Sequence, residues 1–166
     1  ITEEVDSIPI LIPSKPGDLK SLEKVIEIFI KNKKDFFADP ILDPIHYGFV
    51  ESLVRFKKIR NKYPNIEMLM GVGNLTELTD CDSVGVNTIL MGMVSELNIN
   101  AVLAVQVSNH CKNSIKEADI ARKLMYYAKK NQRLPIGISK DLYCLSDKKI
   151  NRPDDTELKY IKSLIK

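Results

Sequence analysis

Histidine is scarce in this chain of 166 residues, which has only His46 and His110. Neither has a partner at the spacing by which a helix presents metal ligands, so no metal site is expected. The adjacent pair His110-Cys111 would face opposite ways on an extended segment, which argues against a Cys–His nucleophile. Cysteine is also sparse. Cys81, Cys111 and Cys144 are odd in number and far apart, which excludes a disulfide framework and suggests buried free thiols in a reducing compartment. No apolar run approaches the roughly 20 residues that span a bilayer. No charged-then-apolar leader stands at the start, so a cytoplasmic protein without membrane contact is expected. The first residue is Ile1, not Met, which suggests a piece of something longer. Glycine numbers seven. Gly71-Val72-Gly73 lacks the third glycine of a dinucleotide fingerprint, and no Gly-rich loop ends in Lys-Ser or Lys-Thr.

A large excess of charge of one sign is also missing. Lysine and arginine total 25 against 22 acidic residues, a net +3. The basic clusters at Lys31–Lys34, Lys57–Arg60 and Lys129–Arg133 fall at the ends of expected helices, where cations meet the negative end of the macrodipole. No aromatic interleaving accompanies them, so a nucleic-acid partner is not expected. With 44% hydrophobic and 28% charged residues, the chain reads as one soluble globular domain with a core of its own.

Short apolar runs alternate with longer amphipathic stretches. The runs are Ile8–Ile12, Phe36–Leu42, Ile66–Val72 and Ala101–Val107. Between them, Leu19, Leu22, Val25, Ile26, Phe29 and Ile30 recur at three- and four-residue steps, which predicts a helix that Asp18 could cap. A second helix carries Phe49, Leu53, Phe56 and Ile59 and stops before Pro64. A third carries Val84 to Leu97. A fourth, from Ile115 to Ala128, opens on Ser114-Ile115-Lys116-Glu117, a capping-box pattern. Strand starts recur about every 30 residues, the length of a βα unit. The runs are apolar at successive positions, as in a parallel sheet buried on both faces. The fold class is therefore α/β, with four parallel βα units. They could form a small doubly wound sheet or half of an eight-unit barrel. Beyond Pro135 the expectation is an irregular edge segment over Ile136–Leu145, a polar linker, and a short terminal helix carrying Leu158, Ile161 and Ile165. The division is thus 1–145 for the βα units and 146–166 for the linker and terminal helix.

Ligands bind at the carboxyl ends of strands in either architecture. Here those ends are rich in amides, carboxylates and hydroxyls. Asp39 follows Phe36-Phe37-Ala38. Its two oxygens could take the paired N–H donors of a flat amino-heterocycle, or it could simply cap a turn before Pro40. Asp43 has the same Asp-Pro context farther along the loop. Gly71 and Gly73 could let the backbone approach a ligand or adopt positive φ. Asn74 would then stand at the tip of the turn, able to donate and accept, or would start an Asx turn. Gln106 and Ser108 close the fourth run.

Asp39-Pro40-Ile41-Leu42-Asp43-Pro44 followed by Gly48-Phe49 resembles the sixth-strand motif of pterin-binding barrels, which include dihydropteroate synthases and methyltetrahydrofolate-dependent corrinoid methyltransferases. Met68 to Leu78 resembles their seventh strand, and Ala101 to Ala118 falls where their eighth strand and last helix would be. The match is closest to archaeal proteins described as dihydropteroate synthase-related, in which Met-Gly-x-Gly-Asn-x-Thr-Glu-Leu and a following Asp-Ser-Val-Gly-x-Asn (here Asp82 to Asn87) are characteristic. The resemblance implies the C-terminal half of a (β/α)8 TIM barrel and a reduced pterin of the tetrahydrofolate or methanopterin type as ligand. It gives Asp39 the pyrimidine edge of the pterin and Asn74 a place beside the reacting nitrogen. Asp43, Gly71, Gly73, Glu77, Gln106 and Ser108 would line the site; Glu77 stands where the methyltransferases usually have an amide. Dihydropteroate synthases carry Ser-Arg-Lys and Arg-x-His at the last two strands, whereas this chain has Gly73-Asn74-Leu75 and Gln106-Val107-Ser108. A leaving pyrophosphate would meet no fixed cation in these motifs, although preorganised charge is the usual means of stabilising such a group. Three readings follow: a transferase acting on a reduced pterin, a non-catalytic pterin carrier, and an assembly element. The expected partners are the pterin and either the upstream half of the same barrel or another copy of the chain.

Overall fold

A computed structural model describes residues 7–143. Four strands, β1 (Ile10–Leu11), β2 (Phe37–Ala38), β3 (Glu67–Gly71) and β4 (Ala101–Leu103), form one sheet. Its order is β1-β2-β3-β4, and every pair is parallel. The α/β class and the four βα units match the sequence reading. The strands are shorter than the apolar runs, because the ends of those runs bend away into the loops.

Helices α1 (Leu19–Lys31), α2 (Phe49–Lys62), α4 (Ser83–Glu96) and α5 (Ser114–Lys130) follow the four strands. Asp18 caps α1, its carboxylate accepting from Ser21 N–H at 3.2 Å, and α2 stops before Pro64 as expected. A one-turn helix absent from the sequence reading, α3 (Gly73–Thr76), follows β3 directly.

Consecutive helices touch side by side. Lys62 on α2 reaches Glu23 on α1 at 2.9 Å. Arg60 on α2 donates to the Leu97 and Asn98 carbonyls behind α4, at 2.9 and 2.8 Å. Lys129 on α5 reaches the Asn98 side chain at 2.6 Å. Such a chain of contacts places the helices in one layer on one face of the sheet. The sequential strand order agrees, since crossovers of one hand that step in one direction stack their helices on one side.

The core lies between that layer and the sheet. Leu11, Ala38, Met68, Met70 and Val72 pack with Leu22 and Ile26, Phe56 and Ile59, Leu90 and Met91, and Ala118 and Ala121. Side chains alternate across a strand, so Ile10, Phe37, Leu69, Gly71 and Leu103 share the opposite face. Ile10 is 49% exposed and Leu103 58%. A sheet buried on both faces was expected; among the described residues helices cover only one face, and on the other Leu69 is buried while Ile10 and Leu103 are not. Ser114 and Glu117 also differ from expectation. Asn113 occupies the N-cap position of α5 and makes no side-chain capping bond. Glu117 instead accepts from Ser83 Oγ at 2.6 Å and from the buried Asn87 amide at 3.3 Å, tying α4 to α5. Cys111 is buried as expected, but Cys81 is exposed. Described residues from Ile136 to Tyr143 form no strand; the rest of that segment, Cys144, the linker and the terminal helix lie outside the described residues. Among the described residues no helix is long and apolar enough to cross a membrane.

Candidate functional site

All the sequence-derived candidates lie at the carboxyl end of the sheet, and they divide by what their polar atoms already hold. Asn74 sits on α3, not at the tip of a glycine turn. Its Nδ2 donates to the Leu42 carbonyl at 2.7 Å, which joins the loop after β2 to the helix after β3. Glu77, the residue after α3, accepts from the N–H groups of Val107 and Ser108 at 2.8 and 2.9 Å. The Ser108 hydroxyl and then these two N–H groups hold its carboxyl below the usual range. Ser108 is therefore engaged with Glu77 through both its backbone and its hydroxyl, while Gln106 is exposed and makes no hydrogen bond among the described residues.

A second tie runs from α3 to the short 3-10 turn Asn109–Cys111. The Thr76 carbonyl lies 3.1 Å from His110 Nε2 and accepts from Cys111 Sγ at 2.9 Å. The two side chains do not diverge as expected, because the segment coils instead of extending. Both converge on a carbonyl that is free because α3 ends after one turn. Among the described residues no group of three His, Cys, Asp or Glu side chains could hold a metal.

Asp43 pairs with Arg55 of α2 at 2.5 Å. The same guanidinium donates to the Pro40 and Ile41 carbonyls at 3.2 and 2.9 Å, so Asp43 and Arg55 fasten their loop to α2. No local pattern in the sequence pointed to Arg55, which lies twelve residues downstream of its partner.

Asp39 is different. Its Oδ1 accepts from Ile41 N–H at 2.8 Å, and its other oxygen has no partner among the described residues. Burial pushes its carboxyl up to about 6, against the opposing pull of the Ile41 N–H. Ile41 is held at φ 65°, a left-handed conformation that costs a β-branched residue about 1–3 kcal/mol. Asp39 grips its N–H and Arg55 its carbonyl, and together they impose that conformation.

Beside Asp39 the sheet is closed at Leu69, which is buried, and open at Gly71. Continuing the Ala38–Met68 register by one residue sets Asp39 next to Leu69, with Gly71 two residues on and level with Leu103. A Cβ added to Gly71 would meet nothing within 4 Å, whereas one added to Gly73 would come 2.8 Å from Val105 Cγ2. Neither glycine has positive φ. Gly73 is thus required by packing against the chain after β4, and Gly71 leaves space on the helix-free face. Among the described residues no hydrogen bond joins Asp39 to Asn74, but Asn74 grips the same loop that Asp39 begins.

No family model and no solved structure matches the chain. A relative does. An uncharacterized protein of the archaeon Methanocaldococcus jannaschii is 43% identical over 140 residues, covering 80% of this chain and 26% of the relative. The chain thus spans about a quarter of the length of the relative it matches.

Proposed function

We propose that this chain binds a reduced pterin of the tetrahydrofolate or methanopterin type, as the anchoring half of a (β/α)8 barrel in a transferase related to dihydropteroate synthases or pterin-dependent methyltransferases. The observation that carries the reading is Asp39: a half-buried carboxylate with one oxygen unclaimed, on the face of the sheet where Gly71 leaves open space. Burial without a neighbouring cation makes its charge unfavourable, and a ligand offering two N–H donors would relieve that. The pyrimidine edge of a pterin offers such a pair, and its flat ring suits a floor with no side chain at Gly71. Sequential parallel strands with helices on one side are the arrangement found within such barrels. Asn74 has its amide nitrogen engaged, so its Oδ1 is the atom left to accept from the ligand.

The test is calorimetric titration of tetrahydrofolate into the wild-type chain and two variants. Asp39→Ala should weaken binding about 30- to 100-fold, the loss expected for a charge-assisted pair. Gly71→Ala should weaken binding while leaving the unfolding midpoint unchanged, because the added Cβ meets nothing within 4 Å. Wild-type affinity in both variants would end the proposal.

A non-catalytic carrier is the second reading. It is favoured because the residues matching the synthase cations are Gly73-Asn74-Leu75 and Gln106-Val107-Ser108, and because Glu77 is occupied with backbone N–H groups. Single-turnover assays with a labelled methyl-pterin and a corrinoid acceptor separate the two, since a carrier binds without forming product.

A further inference from the structure

Among the described residues, five that are not glycine have positive φ: Lys33, Ile41, His46, Asn98 and Gln132. Lys33, Asn98 and Gln132 each stand two residues past the end of a helix, α1, α4 and α5. A left-handed residue there is an ordinary way to close a helix. All three are exposed, as is His46. Ile41 is the exception. It follows no helix, it is half-buried, and it alone is β-branched, the class for which positive φ is a true outlier.

Glycine or asparagine would take this conformation at little cost, so an isoleucine here needs a reason in its side chain. The core does not supply one. Leu42, the next residue, is buried in the core, whereas among the described residues Ile41 is neither part of the core nor packed against it. What Ile41 adjoins is Asp39. Its N–H donates to Asp39 Oδ1 at 2.8 Å, and its Cβ is two bonds from that nitrogen, so the branched side chain begins within about 5 Å of the carboxylate. No charged side chain takes the place of water at Asp39. Arg55 is committed to Asp43 and to the Pro40 and Ile41 carbonyls. Continuing the β1 and β3 registers by one residue sets Ile12 and Leu69 beside it, both apolar.

We propose that Ile41 is kept in its strained conformation for its side chain, which excludes water from the Asp39 carboxylate and so strengthens the hydrogen bonds by which Asp39 holds its ligand. Hydrogen bonds strengthen as the local dielectric falls, and a carboxylate shielded on one side by a branched aliphatic group competes less with water for the donors of a ligand. Ile41 is thus a positioning residue, acting through Asp39. Strain of this kind persists where the surroundings over-determine it and clusters at binding sites; here Asp39 and Arg55 hold Ile41 from both sides. The inference rests on the reading of Asp39 as the ligand anchor.

Three measurements on the full 166-residue chain test it: carbon-13 NMR titration of the Asp39 carboxyl, thermal unfolding, and calorimetric titration of tetrahydrofolate. Ile41→Gly removes the side chain and the strain, Ile41→Ala removes the side chain and keeps the strain, and Ile41→Val keeps both. In the glycine and alanine variants Asp39 should lose its proton at lower pH than the wild-type value of about 6. Both should bind tetrahydrofolate about tenfold more weakly, the scale of a half-buried aliphatic group. The glycine variant should unfold at higher temperature than the alanine variant, and the valine variant should stay close to wild type throughout. An Asp39 titration that glycine and alanine leave in place would overturn the inference. So would one moved upward, which loss of the Ile41 N–H bond alone would cause, leaving Ile41 only to hold the turn. A lowered titration with undiminished binding would overturn it by separating the shielding from the ligand, and a glycine variant less stable than the alanine variant would show that no strain is held at this position. A wild type that binds no tetrahydrofolate would end the pterin reading by itself, and the Asp39 titration would still decide whether Ile41 keeps water out.

Discussion

The two faces of the sheet are built from similar residues and have opposite circumstances. On one, Ala38, Met68, Met70 and Val72 are sealed beneath four helices. On the other, Ile10 and Leu103 stand half exposed, and Gly71 borders open space. The first face stabilises the chain. The second contributes little to stability and contains the groups that could meet a ligand or another sheet. Apolar character alone does not separate them; the position of the helix layer does.

The most damaging change should therefore fall on the sealed side. Phe56→Ala should cost about 3–5 kcal/mol in denaturant unfolding, whereas Ile10→Ala should cost less than about 1 kcal/mol. Equal costs would erase the distinction. Next comes Asp39→Asn, which keeps an acceptor for Ile41 N–H and removes a poorly solvated charge. The native carboxyl binds its proton more tightly than the unfolded one, so ionisation costs the fold nothing below about pH 4, progressively more as pH rises to about 6, and a constant amount above that. The variant should be more stable than wild type by up to about 3 kcal/mol at pH 7 and equal to it at pH 4. A pH-independent difference would show that burial is not what acts on Asp39. Arg55→Lys, which cannot reproduce the three-way grip on Pro40, Ile41 and Asp43, should cost about 1–3 kcal/mol and weaken pterin binding by loosening the loop that Asp39 begins. The smallest effect is local. Glu77→Gln should raise hydrogen-exchange rates at Val107 and Ser108 while leaving the global midpoint in place.

Much of the fold could be read from residue order. Four apolar runs spaced by amphipathic helices announced a parallel α/β chain, and Asp18 and Pro64 marked helix ends through chemistry confined to a few neighbours. Features that depend on distant partners were not legible. Asp39 and Asp43 sit in the same Asp-Pro context, and only the arrival of Arg55 from α2 makes one a fastener and leaves the other open. Ser114 and Glu117 have the spacing of a capping box, but Ser83 and Asn87 from the preceding helix claim the carboxylate. Four residues are too few to show a periodicity, so α3 was invisible. Strand order and the bare face likewise arise from how whole units stack.

The smallness of α3 has its own consequence. From Gly73 to Glu77, five successive positions anchor the connection after β2 through Asn74, the one after β4 through Glu77, and the coil carrying His110 and Cys111 through Thr76. These three segments cannot change length independently. Inserting or deleting a residue within that stretch would rotate the following side chains by about 100° and unhitch several connections at once, so the lip of the sheet is tuned as a single unit.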